Sequence, residues 1–420
     1  MLHRVFPPVR PYTCGSFCRL NPTILGRNLS SQRRKIRMII LSDTHGNDLK
    51  GVSLPKADVV LHCGDLTNDS QSADLERTLA MLRVINAPLK LAIPGNHDFG
   101  LERGYWRRTR ASSHPTQQQH DDSGVPAQTI EADDEDKDDV DAKASWELLR
   151  RTARRDRIFL LPQGTHIFVL PPDAGGGGTR LRLFASPLTP RQGNWGFQYD
   201  RSNPHKWAIP PTTSNGDGAV DVMMTHGPPR GIRDGTGMGK GGAAAGAGCA
   251  GLLAAVERAR PRVHCFGHIH GAWGAELVTW KREIVALGAG AGAGGPVAFP
   301  GPSAPILGNL VDAQRSRVVA SLPPASRTTG SGKCSLSPPP ARVTQRYHSP
   351  PREEAGCFAV DISPDGEHAV ERGAQTLFVN AAVELRSRPP RMPWLVDIDL
   401  PVASEEDAAA AAETMCRLLL

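Results

Sequence analysis

Three observations predict an α/β fold: short apolar runs that each end in a polar, glycine-containing loop, helical periodicity between two of those runs, and chemistry-bearing residues gathered in the loops. IRMIILSDTHGN, starting at Ile36, reads as a buried strand entering a loop, and ADVVLHCGDLTN at 57–68 repeats the form. Over 71–86, Leu75, Leu79, Leu82 and Ile85 recur at helical spacing, with Ser70 or Ser72 placed to cap the start. LKLAIPGNHDFG at 89–100 is a third strand and loop. A helix is expected over 146–156, packed through Trp146, Leu148 and Leu149, and another in LLAAVERARP. HIFVL, RLRLFASPL and VDVMMTHGPP supply further strands, while TLFVNAAV (376–383) and WLVDIDLP (394–401) return to strand character and close the core.

Length and composition bound the organisation. With 420 residues and 39% hydrophobic content, the chain suits one large domain with appendages or two modest ones. Glycine and proline make 79 of 420 residues, above the ordinary share but below that of a chain disordered throughout. The net charge of +6 is uneven, because residues 1–37 alone carry +8 and the run 131–141 carries −7. Total basicity therefore names no partner. Eight irregularly spaced cysteines exclude a disulfide-stapled scaffold and make a reducing compartment the default. No stretch approaches the roughly 18 to 20 apolar residues of a membrane span. The expected layout is a basic extension over 1–37, disordered or a transit segment, then a single domain over 38–401. That domain carries flexible insertions at 111–145 and 320–355, and 402–420 forms a tail or short helix. A cytoplasmic location is expected, with mitochondrial targeting through the extension as the alternative. The acidic run reads as a solvated loop, since it lacks the central glycine and closing glutamate of an EF-hand.

Five strand-end clusters hold the candidate ligands: Asp43 with His45, Asp65, Asn96 with His97 and Asp98, His226, and His268 with His270. A lone strand-end aspartate is usually a cap or turn former, but the repeated placement reverses the odds. Imidazole nitrogen, carboxylate oxygen and amide oxygen suit divalent zinc, manganese or iron, and their mixture suits hydrolysis. His62 and Cys63 precede a ligand loop but read as hydrogen-bonded strand residues. DGTGMGKGG at 234–242 lacks the Ser or Thr of a nucleotide-binding phosphate loop, and GAGAGAGG at 288–295 lacks a following helix and ribose-binding acid. Arg230 and Arg233 could meet a substrate phosphate or form surface ion pairs. Trp195, Phe197 and Tyr199 alternate as strand residues do, in the core or lining an aryl pocket.

SDTHG, HCGDLTN, PGNHD, THGPP and GHIHG, in that order, resemble the calcineurin-like metallophosphoesterases. SPLTPRQGNWGFQY (186–199), THGPPRGIRDGTG (225–237) and VNAAVE (379–384) resemble more closely the metallophosphoesterase-domain subfamily, the brain-type, class III cyclic-nucleotide-phosphodiesterase-like proteins. The resemblance covers about 38–110, 146–290 and 375–401, and implies two facing mixed sheets flanked by helices. It also implies two divalent or mixed-valence ions, Mn, Fe or Zn. Asp43, His45 and His270 would hold one, Asn96, His226 and His268 the other, with Asp65 bridging. Two cations roughly 3.5 to 4 Å apart activate a bridging hydroxide for attack on a phosphoester. His97 would bind phosphate or protonate the leaving group, and Asp98 would orient its ring.

The expected activity is hydrolysis of small phosphodiesters such as cyclic nucleotides, within the phosphoester hydrolases (EC 3.1). A noncatalytic phosphoester-binding or scaffold protein is the competing class, and a nuclease or protein phosphatase stays open. Turnover separates the first two. Basic stripes with interleaved aromatics are not apparent, so neither a nucleic-acid nor a protein partner is assigned.

Overall fold

The computed structural model describes residues 32–102, 105, 133–211, 220–235, 247–281, 310–321, 352–387 and 390–419. Within them two seven-stranded mixed sheets face each other, as the resemblance implied. In order across the first sheet lie β13 (Arg352–Glu354), β14 (Cys357–Asp361), β16 (Trp394–Pro401), β1 (Arg33–Leu41), β2 (Val59–His62), β3 (Leu89–Ala92) and β4 (Ile158–Leu160). Across the second lie β12 (Arg317–Ser321), β11 (Gly274–Thr279), β15 (Gln375–Asn380), β10 (Val263–Phe266), β9 (Val222–Thr225), β6 (Arg180–Ser186) and β5 (Gly164–Val169). A two-stranded ribbon joins β7 (Thr189–Pro190) to β8 (Gln198–Tyr199). Strands β1 to β4 are parallel, as are β6, β9, β10 and β15. Loops leaving their C-terminal ends are where a parallel sheet offers a crevice.

Side-chain alternation builds the layers. Ile36, Met38 and Ile40 of β1 point between the sheets, into a core shared with Leu183, Met224, Cys265 and Val379. Ile39 and Leu41 point the other way, against Leu75, Leu79 and Leu82 of α1 (Ser72–Val84) and Leu149 of α2 (Asp133–Asp156). The outer face of the second sheet, including Phe184, Met223 and Phe266, packs on Leu252, Leu253 and Val256 of α3 (Ala250–Ala259). Each fully buried aliphatic side chain contributes about 1.5 to 3 kcal/mol, so the four-layer packing holds the strand ends rigidly.

Several expectations need correction. The basic extension ends earlier than residue 37, because β1 begins at Arg33. Its cations are committed to acids of neighbouring strands: Arg33 to Asp399, Lys35 to Asp361 and Arg37 to Asp397 and Glu354. Neither Ser70 nor Ser72 caps α1, since Gln71 occupies the cap position without a side-chain bond. The acidic run is not a loop from Asp133 onward: α2 has 24 residues, with acids crowding its start and Arg154 and Arg155 in its last turn, as the helix dipole favours. Of the two alternatives for 402–420, tail or helix, the structure shows the helix: α4 (Glu405–Leu419), 15 residues long, whose Met415, Leu418 and Leu419 pack on the intersheet core. Residues 1–31, 111–132 and 322–351, and with them most of the extension and of the proposed insertions, lie outside the described residues. So do most of the two glycine-rich tracts weighed as phosphate or dinucleotide loops. Among the described residues, no helix is long and apolar enough to cross a membrane.

Candidate metal centre

Each predicted ligand leaves the C-terminal end of a parallel strand, and the loops of the two sheets interlock. Asp43 N–H donates to the Gly64 carbonyl (2.9 Å) and His45 N–H to that of Asp65 (3.0 Å), extending the β1–β2 pairing into the ligand loops. The His268 N–H from the second sheet donates to the Asp43 carboxylate (3.1 Å), and His226 Nδ1 lies 2.9 Å from the Cys63 carbonyl of the first. Asp43, His45, Asp65 and His268 all take positive φ, at 59°, 47°, 53° and 65°. Left-handed backbone costs a non-glycine residue roughly 1 kcal/mol or more, and such strain persists where surrounding bonds over-determine it. Glycines let the loops close this tightly: a Cβ at Gly95 would collide with the Asp65 carboxylate, and one at Gly267 with that of Asp43.

Among the described residues, three overlapping groups of metal-capable side chains occur, all at this place: Asp43, His45 and His270; His45, Asp65 and His97; Asp65, His226 and His268. The first holds the three residues expected at one ion, the last holds His226 and His268 expected at the other, and Asp65 belongs to the second and the last. Its Oδ1 lies 3.4 Å from His226 Nε2 and its Oδ2 lies 3.8 Å from His45 Nε2. Asn96 joins through Oδ1, 2.9 Å from His226 Nε2. His270 Nε2 is 3.2 Å from Asp43 Oδ1 and 3.4 Å from His45 Nε2.

The donor chemistry fits cations. A carbonyl oxygen only accepts, so the Cys63 contact places a proton on His226 Nδ1 and leaves neutral Nε2 a lone pair facing two oxygens. Three lone-pair donors converge there, a repulsive arrangement unless a positive charge sits among them. Without metal, protons respond to the same field. Burial opposes charge on His226, yet the Asp65 and Asp43 carboxylates outweigh it and push the imidazole up to about 9. His270 is raised by its bond to Asp43. Against burial, Asp43 and Asp65 are both held below the usual carboxylate range by the neighbouring histidines. His268 is pushed down to about 4 by burial and by His226.

His97 stands beside this cluster, with Nδ1 at 2.6 Å from the Asn68 carbonyl. That contact replaces the expected one, since Asp98 does not orient the ring. The Asp98 carboxylate is buried and accepts instead from the backbone N–H of Gly95 (2.7 Å), Leu66 (3.0 Å) and Thr67 (2.8 Å), and from the Thr67 hydroxyl (2.7 Å). It ties the Asp65 loop to the Asn96 loop. Ser70 does similar work, its hydroxyl donating to the His97 carbonyl (2.9 Å) and accepting from Gly100 N–H (2.8 Å). Arg233 takes the ion-pair alternative: its guanidinium donates to the Ala275 carbonyl (3.1 Å) and lies 3.5 Å from Glu276. Arg230 is exposed and keeps its place among the candidates. His62 is a core residue as expected, buried with Nε2 at 2.9 Å from the Thr44 hydroxyl. A matching pair, His264 Nε2 and the Thr225 hydroxyl at 2.9 Å, underlies the other sheet's loops. Sequence reading missed that pair, along with the Asn68 carbonyl, which no residue type could flag.

Facing sheets with a mixed histidine, carboxylate and amide cluster at their strand ends define a metallophosphoesterase-like protein with a candidate dinuclear site. The family model described as calcineurin-like phosphoesterase matches residues 36–272, and the chain belongs to that family. It is 29% identical over 265 residues to the "Probable rhamnogalacturonate lyase C" of Emericella nidulans, covering 61% of this chain and 20% of that protein. It is 26% identical over 241 residues to human metallophosphoesterase domain-containing protein 1, covering 57% of this chain and 61% of that one. The chain thus spans from about a fifth to about three fifths of these curated relatives. A solved purple acid phosphatase from yellow lupin seeds aligns at a TM-score of 0.31 and 12% identity, over 60% of this chain and 40% of that one.

Proposed function

We propose that the chain is a metal-dependent phosphodiesterase acting on small diesters, cyclic nucleotides among them, and that it falls within the metallophosphoesterase-domain subfamily. The observation that carries this reading is Asp65, whose two oxygens face two separate histidine sets. A carboxylate so placed suits a pair of cations, with Asp43, His45 and His270 on one side and Asn96, His226 and His268 on the other. When bound, such a pair of Mn, Fe or Zn ions supplies Lewis acidity and lowers the pKa of water. Only two of these seven side chains are anionic, so the loaded site keeps a positive surplus for a phosphoester anion. Because the Asn68 carbonyl accepts from His97 Nδ1–H, Nε2 is the ring nitrogen left to face the leaving oxygen, and it has a proton to give when the ring is an imidazolium. Hydrolysis then forms a bond from water oxygen to phosphorus and breaks the bond to the leaving oxygen, which takes the imidazolium proton, and the proton given up by the water restores the imidazolium. The 26% identity to human metallophosphoesterase domain-containing protein 1 supports the subfamily.

The test is a substrate panel on chelator-stripped protein reconstituted separately with manganese, zinc, iron and magnesium. Turnover of cyclic nucleotides and aryl diesters above phosphomonoesters is expected. Binding of those esters without hydrolysis by any metal form would overturn the enzymatic reading in favour of a noncatalytic one. Cleavage of nucleic-acid strands in preference to small diesters would point to a nuclease.

A further inference from the structure

An imidazole on a loop rotates about two side-chain bonds unless packing stops it, and the Asn68 carbonyl fixes only one ring atom of His97. The ring plane is set by something else. The indole of Trp195 lies over it, ring centroids 4.2 Å apart and planes 33° from parallel, while His45 meets it edge-on at 4.8 Å and 88°. We propose that Trp195 is a positioning residue, its indole holding the His97 imidazole in the orientation that serves the leaving group. This inference rests on the hydrolytic reading of the site.

Trp195 belongs to a segment anchored on several sides. Gly196 N–H donates to the carbonyl of Asn96 itself (3.0 Å), so the segment is tied to the loop that carries His97. Phe197 N–H donates to Glu102 (2.7 Å), and the Tyr105 hydroxyl donates to the Asn194 carbonyl (2.7 Å). The backbone presses so closely on this loop that a Cβ at Gly196 would stand 2.6 Å from Phe99 Cα. A side chain at Gly196 would push that backbone apart, so glycine keeps the segment close to the loop. A tryptophan serving only as core filler would follow its neighbours, yet these go elsewhere. Phe197 packs with the outer cluster of the first sheet and Tyr199 with that of the second. Trp195, half-buried after four exposed residues, turns its ring to His97.

The experiment compares Trp195→Leu and Trp195→Phe in the full chain, loaded with manganese, using a cyclic nucleotide whose alkoxide leaving group needs a proton. A misplacement near 1 Å costs on the order of 10²-fold in rate. The leucine variant should therefore lose roughly 10- to 100-fold in kcat, with KM and metal content held, and the phenylalanine variant should recover most of the loss. In a His97→Ala background, Trp195→Leu should cost less than about twofold, because residues acting through one another are not additive. Independently of turnover, His97 ring-proton signals, assigned by their absence in His97→Ala, should move downfield when the indole is removed. Equal losses in both backgrounds, or unmoved His97 signals in Trp195→Leu, would overturn the proposal. Absence of hydrolysis by the unmutated chain would overturn the hydrolytic reading alone, since the ring signals still report the contact.

Discussion

The two halves of the centre differ in enclosure. His226 is fully buried and Asn96 4% exposed, and each is bonded to loops of the other half of the fold or to each other. On the other side, His45 and His270 keep side-chain exposures of 16% and 37%. His226 and Asn96 are thus part of the packing between sheets, whereas His45 and His270 lean out toward solvent around the buried Asp43. On the proposed reading, metal binding in the first half would be coupled to folding, while in the second half the less enclosed His45 meets His97 edge-on.

The largest expected effect comes from the residue common to both. Asp65→Asn removes the charge that faces His226 and His45 and should lower the content of both cations and turnover by more than about 10³-fold, read by metal analysis beside kinetics. Retained metal and rate would refute a bridging role. Next come two single-side variants that set the halves against each other. His226→Ala strands Asn96 and the Cys63 carbonyl in a buried site and should cost about 2 to 4 kcal/mol of stability as well as a cation. His270→Ala should lose one cation with less than about 1 kcal/mol of stability, because its side chain is partly solvated. Equal melting shifts in the two apoproteins would erase the distinction between halves.

Asp98→Asn is expected to act more mildly, and on a different quantity from the one sequence reading suggested. It weakens the clasp between the Asp65 and Asn96 loops without touching the His97 ring, so metal affinity should fall by about 10- to 100-fold while loaded protein keeps most of its kcat. A selective loss of kcat at full metal occupancy would restore the role of orienting His97.

These contrasts mark what the sequence disclosed. The convergence of the candidate ligands was legible because each follows an apolar strand run directly, and the parallel order of such runs forces their ends together. The role of Asp98 was not, since its partners are backbone N–H groups, which every residue carries. Nor could alternation interpret Trp195, Phe197 and Tyr199: β8 is two residues long, and Phe197 takes a positive φ of 51° that breaks the period. The sequence left Arg233 between a substrate phosphate and an ion pair, and β11 supplies the ion pair through Glu276, 43 positions away in the chain. The long reach of α2 was hidden by a run of acids that registers as a solvated loop but also suits a helix N-terminus.

Beneath the unlike halves lies a shared support, and its response to acid gives the smallest predicted effect. His62 contacts the Thr44 hydroxyl under one loop and His264 that of Thr225 under another. The Thr225 hydroxyl donates to the Gly227 carbonyl, so it accepts from His264 Nε2–H, and burial keeps this imidazole neutral by pushing it down to about 3. An unfolded histidine titrates near 6.5. Between that value and about 3 the unfolded chain binds a proton that the folded one refuses, so stability falls as pH falls through this window and is fully present above it. At pH 5 the loss attributable to His264 should approach about 2 kcal/mol. His264→Gln cannot titrate but can still bond the Thr225 hydroxyl. Chelator-stripped His264→Gln should therefore lose less stability than the unmutated chain between pH 7 and pH 5 in urea unfolding. Identical losses would show that His264 becomes charged without unfolding, and that the support beneath the enclosed half is less rigid than its burial indicates.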